Sequence, residues 1–166
     1  CLDANCKWFS KKTFNLLFNE CIDLSLFDNL NNDLCLTFVL QHPENIIVKK
    51  YESPDLVLVN GVNLNTFEFL EIGHLQNIIK ESLNIEFKIP NKYNVNTIDE
   101  LNKIVACLSQ NEQGIILKMK NDTSVRGKII NDYYNYVKDL KGNTNNKKYL
   151  YFELRKNKSL DEYLKY

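Results

Sequence analysis

Neither charge is in surplus. The 166 residues carry 21 Lys and Arg against 21 Asp and Glu, so the formal net charge is zero. No global basic field therefore points to nucleic acid or to an anionic membrane, and any polyanion site must be local. No apolar run approaches the ~18 residues that a membrane-spanning helix needs, and no signal-peptide pattern opens the chain. The five cysteines (Cys1, Cys6, Cys21, Cys35 and Cys107) are odd in number and contain no Cys-x-x-Cys pair. His42 and His74 are the two histidines, and neither stands at zinc-ligand spacing. A zinc centre and a disulfide framework are both set aside, and the expectation is reduced thiols in an intracellular, cytoplasmic protein with no membrane partner. Cys35 and Cys107 lie in apolar runs and are expected in the core as small apolar residues. The first residue is Cys1 and not Met, and the expectation is a piece cut from something longer.

What is present is ordinary for a globular chain: 44% apolar and 25% charged residues, at a length that can bury one domain's core. The 24 Asn are spread evenly and not in tracts, which does not suit a prion-like segment. Apolar spacing predicts a helix in KTFNLLFNECIDLSLF. LCLTFVL, IIVKKY and DLVLVNGVN read as three strands of an antiparallel meander, with a turn at His42-Pro43-Glu44-Asn45. HLQNIIKESL reads as a helix and NIEFKIP as a short strand closed by Pro90. Thr97 with Glu100 three residues on is a capping box opening the helix TIDELNKIVACL. GIILKMK and SVRGKII flank Asn121-Asp122-Thr123 as a hairpin. NDYYNYVKDL is a helix ending at Gly142, YLYFELRK a strand or a helix start, and Ser159 the cap of a last helix, LDEYLKY. Antiparallel strands mixed with helices make the class α+β.

Three blocks then stand in order: TFVLQHPENIIVKKYESPDLVLVNGVNLNT, NEQGIILKMKNDTSVRGKIINDYYNYVKDLKGN and YLYFELRKNKSLDEYLKY. In this order they resemble ATP-dependent RNA ligases of the phage tRNA-repair type and their viral relatives, within the covalent nucleotidyltransferases. The resemblance spans roughly residues 37–166 and weakens over 69–109. Pro43, Asn45, Ile47 and Val48 match the family's turn after its first strand. Gly114 and Lys128 match the strand pair that faces metal and ATP phosphates, and Asp132 and Tyr134 match the helix start that follows. What this implies is an antiparallel sheet core with flanking helices in the nucleotidyltransferase fold, incomplete at its N-terminus. The implied division is residues 1–142 as the later part of that domain and 143–166 as a linker and the start of a helical region. The implied cofactors are ATP and Mg²⁺, and the implied partners are RNA ends, tRNA among them. In such enzymes ATP adenylylates a lysine, AMP passes to an RNA 5′-phosphate, and a 3′-hydroxyl displaces it.

The candidate residues follow from those matches. Lys128 is expected to face phosphate, sharing one strand face with Arg126; a solvated strand face is the plainer alternative. Gln113 and Gly114 stand for the family's Glu-Gly, with Glu112 one place off; Glu112 or Gln113 is the only metal candidate. Asn45 and Tyr134 are candidate RNA contacts, against a polar turn and a core ring. Tyr133, Tyr136, Lys138 and Lys141 share that helix, where aromatics and cations interleave. His42 and His74 are expected to be structural, and Lys147-Lys148 to be a solvated loop pair. Lys120, in Lys-Asn-Asp-Thr-Ser, imitates the family's nucleophile motif. A hairpin tip, however, offers neither burial nor a cationic neighbour to lower a lysine's pKa, so the nucleophile is not expected in this chain. Other departures are Val39 for a glutamate, Ile46 for an arginine and Ile130 for a second lysine. Together they imply a fragment or divergent copy of a ligase. The alternatives are a catalytically inactive ligase-like module that binds RNA or a partner protein, and a purely structural α+β domain.

Overall fold

The computed structural model describes residues 10–45, 48–109, 112–119, 126–142 and 146–165. The class is α+β. Among the described residues there are two antiparallel two-stranded sheets, with helices before, between and after them. The chain divides into two compact units: Cys1–Asn45 with Tyr51–Tyr93, and Ile46–Lys50 with Asn94–Tyr166.

The first unit opens with α1 (Phe14–Cys21), capped by Thr13, whose hydroxyl accepts from the Leu16 N–H. A 3-10 segment, Leu24–Asn29, leads into β1 (Leu34–Gln41). This strand pairs with β2 (Asp55–Asn63), from Leu34 opposite Asn63 to Gln41 opposite Asp55, with an irregularity between Thr37 and Phe38. Along β1 the partly buried Leu34, Leu36, Phe38 and Leu40 alternate with exposed Cys35, Thr37 and Val39. The run LCLTFVL is thus a half-buried strand, and Cys35 is exposed because it falls on the outward beat of the period-2 pattern. Cys107, just past the end of a helix, is exposed as well.

The expected three-strand meander is corrected to this two-stranded pair. Residues 48–51 run as bends and coil, so β1 pairs directly with β2. Ile46 and Ile47 lie outside the described residues. β2 carries Leu56 and Leu58 into the core, where they meet Leu30, Phe87 and the buried face of α2 (Ile72–Leu83), Leu75 and Ile79. Phe38 anchors the aromatic side of this core, its ring 4.9 Å from that of Phe87, 5.9 Å from Phe18 and 6.1 Å from Phe27, each tilted edge to face. Fully burying one leucine or isoleucine side chain, as at Leu58, Leu75 and Ile79, contributes about 1.5–3 kcal/mol. NIEFKIP is not a strand: Lys88 makes one bridge to Val57, and its carbonyl accepts from the Leu58 N–H at 2.8 Å.

His42 is not a simple turn residue, since only 3% of it is exposed. Its Nδ1 accepts from the Glu44 N–H at 3.0 Å, so the ring proton sits on Nε2 and points at Glu20 Oε2, 3.0 Å away. Lys12 bridges Glu20 and Glu44, and Ser10 donates to Glu44 at 2.7 Å. His74 lies inside the first turn of α2, whose cap is Glu71.

In the second unit the predicted capping box is present. Thr97 and Glu100 exchange side-chain and backbone bonds at the start of α3 (Ile98–Ala106). β3 (Gly114–Lys118) and β4 (Arg126–Ile130) form the expected antiparallel pair; the turn between them, Lys120 included, lies outside the described residues. α4 (Asp132–Lys141) follows, capped by Asn131 and closed at Gly142. YLYFELRK resolves as a helix, α5 (Lys147–Lys156), because the Asn146 side chain caps it and Leu150 and Leu154 give it an inward face. The last helix, α6, is one turn, Leu160–Tyr163, and Ser159 makes no side-chain cap bond to it.

Candidate functional site

The β3–β4 register decides which side chains share a face. Gly114 stands opposite Ile130, Ile116 opposite Lys128, and Lys118 opposite Arg126. Directly opposed residues of an antiparallel pair point the same way. Lys118, Arg126, Lys128, Ile116 and Ile130 are all exposed on one face, while Ile115, Leu117 and Ile129 are partly buried on the other. Arg126 and Lys128, expected to share a face, do so. Lys118 joins them, and sequence reasoning missed it because its place depends on register across the hairpin and not on any motif of its own. Lys128 sits two residues from Arg126, about 7 Å along the strand. Three cations thus occupy one open hairpin face.

Gly114 is fixed by the backbone. Its φ is +148°, and a Cβ there would run into the Ile129 carbonyl oxygen and come within 2.9 Å of the Ile130 Cα. Only glycine tolerates both the angle and the approach. This lets β3 start tight against the end of β4, where the Gln113 carbonyl accepts from the Asn131 N–H at 2.9 Å. The Asn131 side chain then does two jobs. Its Oδ1 caps α4 through the Tyr133 N–H, and its Nδ2 donates to the Ser109 carbonyl at 2.9 Å.

Glu112 and Gln113 precede β3 and both are exposed. Glu112 Oε2 accepts from the Ser109 N–H at 2.6 Å, while the Glu112 N–H donates to the Ser109 carbonyl. The bond from the Ser109 N–H, and after it one from the Ser109 side chain, hold the Glu112 carboxyl below its ordinary pKa, with a smaller contribution from the charge of Lys49. One carboxylate already closing a turn, beside the neutral amide of Gln113, does not make a site for a hard divalent cation.

Tyr134 is 7% exposed, so its ring has no open face for a base. Asn45 belongs to the first unit, where its Nδ2 donates to the Leu40 carbonyl at 3.3 Å and its N–H to the His42 carbonyl at 2.9 Å, closing the turn after β1. Of the other tyrosines on α4, Tyr136 is exposed and its hydroxyl donates to Glu162 at 2.6 Å. Lys141 is partly buried; desolvation first, and the neighbouring charge of Lys50 second, lower its pKa. Val39 and Ile130, standing where the resembled family carries charge, are both exposed.

Compared with known proteins, the chain matches no family model and no curated protein.

Proposed function

We propose that the chain is the later part of the nucleotidyltransferase domain of an ATP-dependent RNA ligase, and that the outer face of the β3–β4 hairpin holds phosphate, of ATP or of an RNA end. The observation that carries this reading is the grouping of Lys118, Arg126 and Lys128 on one exposed face, two of them directly opposed across the strands. Arg126 supplies a forked donor and the two lysines point charges, the set that phosphate oxygens accept. The order of the three sequence blocks supports the family. The work assigned to this chain's own residues is to grip phosphate, not to supply the nucleophile.

A second reading, an RNA-binding module without catalysis, is favoured by one specific feature: Glu112, the carboxylate two residues before β3, is engaged with Ser109.

The test is fluorescence anisotropy with a single-stranded RNA 12-mer carrying either a 5′-phosphate or a 5′-hydroxyl. The phosphorylated end should bind more tightly, and Lys128→Ala should abolish the difference. One charge-assisted contact is worth about 1.5–3 kcal/mol, or roughly 10- to 150-fold in affinity. Equal binding of both ends, unchanged by Lys128→Ala, would remove the hairpin from the function.

A further inference from the structure

The outward face of α5 carries three aromatic rings that no core absorbs. Tyr149, Tyr151 and Phe152 are exposed by 56%, 42% and 56%. The buried side of the helix is formed by Leu154, with Leu150 and Glu153 half-buried beside it. At about 100° per residue, the arc opposite that side reads, in order around the helix, Tyr151, Arg155, Lys148, Phe152, Lys156, Tyr149. Rings and cations share this arc, and the helix's single carboxylate, Glu153, lies off it toward the buried side. Arg155 is already placed against a ring: its guanidinium carbon is 5.7 Å from the Tyr151 centroid, and its Nη1 donates to the Tyr151 hydroxyl at 3.2 Å. Tyr151 and Phe152 meet edge to face at 5.7 Å.

A second helix packing here would need apolar side chains at the centre of the arc, but there Lys148 and Lys156 flank Phe152. A ligand that is flat, apolar on its faces and anionic along its length satisfies rings and cations together. Single-stranded nucleic acid has that chemistry: bases stack on exposed aromatics, and phosphates pair with the lysines and arginine between them.

We propose that the outer arc of α5 is a stacking platform for single-stranded RNA, with Phe152 at its centre, Tyr149 and Tyr151 at its flanks, and Lys148, Arg155 and Lys156 on the phosphates. This rests on the RNA reading above and adds a second contact. The hairpin takes an end phosphate, whereas α5 takes the body of the strand.

The experiment uses the full chain and a 5′-hydroxyl single-stranded RNA 12-mer, so that the hairpin's end phosphate is absent. Phe152→Ala and the double variant Tyr149→Ala/Tyr151→Ala should each weaken binding by at least about fivefold, with the helical circular dichroism and melting temperature unchanged because these side chains are exposed. Phe152→Leu keeps the apolar bulk but loses the ring face, and it should weaken binding as Phe152→Ala does. Phe152→Trp should retain affinity and show tryptophan quenching on binding, relative to the parent chain, which a purely electrostatic contact would not produce. The triple change Lys148, Arg155 and Lys156 to Gln should flatten the salt dependence by a slope of about 2, at ~0.7 per phosphate contact on a single strand. If the α5 variants bind like the parent while Lys128→Ala still loses the 5′-phosphate preference, the platform is wrong and the hairpin reading stands. If they lose binding while Lys128→Ala has no effect on either end, the platform stands and the hairpin reading falls. Full affinity in Phe152→Leu, no binding of the 12-mer by the parent, or binding only to vesicles of anionic lipid would each overturn the platform.

Discussion

A side chain at position 114 has nowhere to go. The backbone there is in a region that side chains other than hydrogen rarely adopt, and the space a Cβ would fill belongs to the carbonyl of Ile129. The sequence marked Gly114 through its resemblance to a Glu-Gly pair; the structure supplies a reason that needs no nucleotide. Gly114→Ala should therefore destabilise the second unit by at least the 1–3 kcal/mol that a strained backbone conformation costs. The loss should appear as a lower urea midpoint and as weakened protection of the Ile129 and Ile130 amides in hydrogen exchange. An unchanged midpoint would mean that the hairpin does not close at Gly114. Other single residues were less legible. The burial of His42 depends on Glu20, 22 positions away, a pairing that no local pattern announces. Tyr134 and Tyr136 look alike in sequence and differ only in which side of α4 each occupies.

At the scale of elements, the signals that survived are those written within a few residues. The capping box at Thr97 and Glu100, the helix α2 and the strand β2 are local physics and formed as read, whereas KTFNLLFNECIDLSLF is α-helical only over Phe14–Cys21 and turns 3-10 at Leu24–Asn29. IIVKKY and NIEFKIP have strand composition, yet a strand exists only where a partner edge is offered, and β1 and β2 pair directly with each other. α5 was ambiguous because its rings lie outside and only Leu150 and Leu154 keep the helical beat. The contact of β2 with α2 allows a sharper test of packing. A Cβ on Gly61 would come within 2.5 Å of Leu75 Cδ2, and Leu75 is wholly buried. Gly61→Ala should cost about 1–3 kcal/mol by overpacking, and Leu75→Ala about 2–5 kcal/mol by leaving a cavity. Combined, they should cost less than their sum, by 0.5 kcal/mol or more, because the added methyl enters the vacated space. A double-mutant cycle from urea unfolding measures this, and strict additivity would show that the two residues do not share a packing site.

At the scale of the molecule, the two units carry their ionised pairs unequally. Four carboxylates of the first unit are held below their ordinary pKa chiefly by lysines: Glu20 and Glu44 by Lys12, Asp55 by Lys88 and Glu71 by Lys92. In the second unit the one so shifted among the described residues is Glu112, held mainly by Ser109. A carboxyl whose pKa is lower in the folded chain binds fewer protons there than when unfolded. Its contribution is complete above the unfolded value, 4.5 for Glu and 3.8 for Asp, and it is lost as pH falls through the folded value. The Lys12 ammonium, raised above 10.5 by Glu20 and then Glu44, contributes with the opposite sign. Its share is present below that value and is lost only as pH rises through the folded one. Both contributions are therefore in force at neutral pH, and acid removes the carboxylate share. The first unit should yield to acid before the second. In an amide NMR titration from pH 6 to pH 2.5, the Leu58 cross-peak on β2 should collapse at a higher pH than the Ile129 cross-peak on β4. Lys12→Ala removes the leading cause of two of the four shifts, so it should lower stability at pH 6 and leave less to lose on acidification, giving a shallower fall in the urea midpoint between pH 6 and pH 3.5. These pairs are largely solvent-exposed, and 0.5 M salt should shrink the difference between parent and variant. Loss of Ile129 before Leu58, or an acid profile identical in parent and Lys12→Ala, would show that the ion pairs around Lys12 do not govern how this chain meets acid.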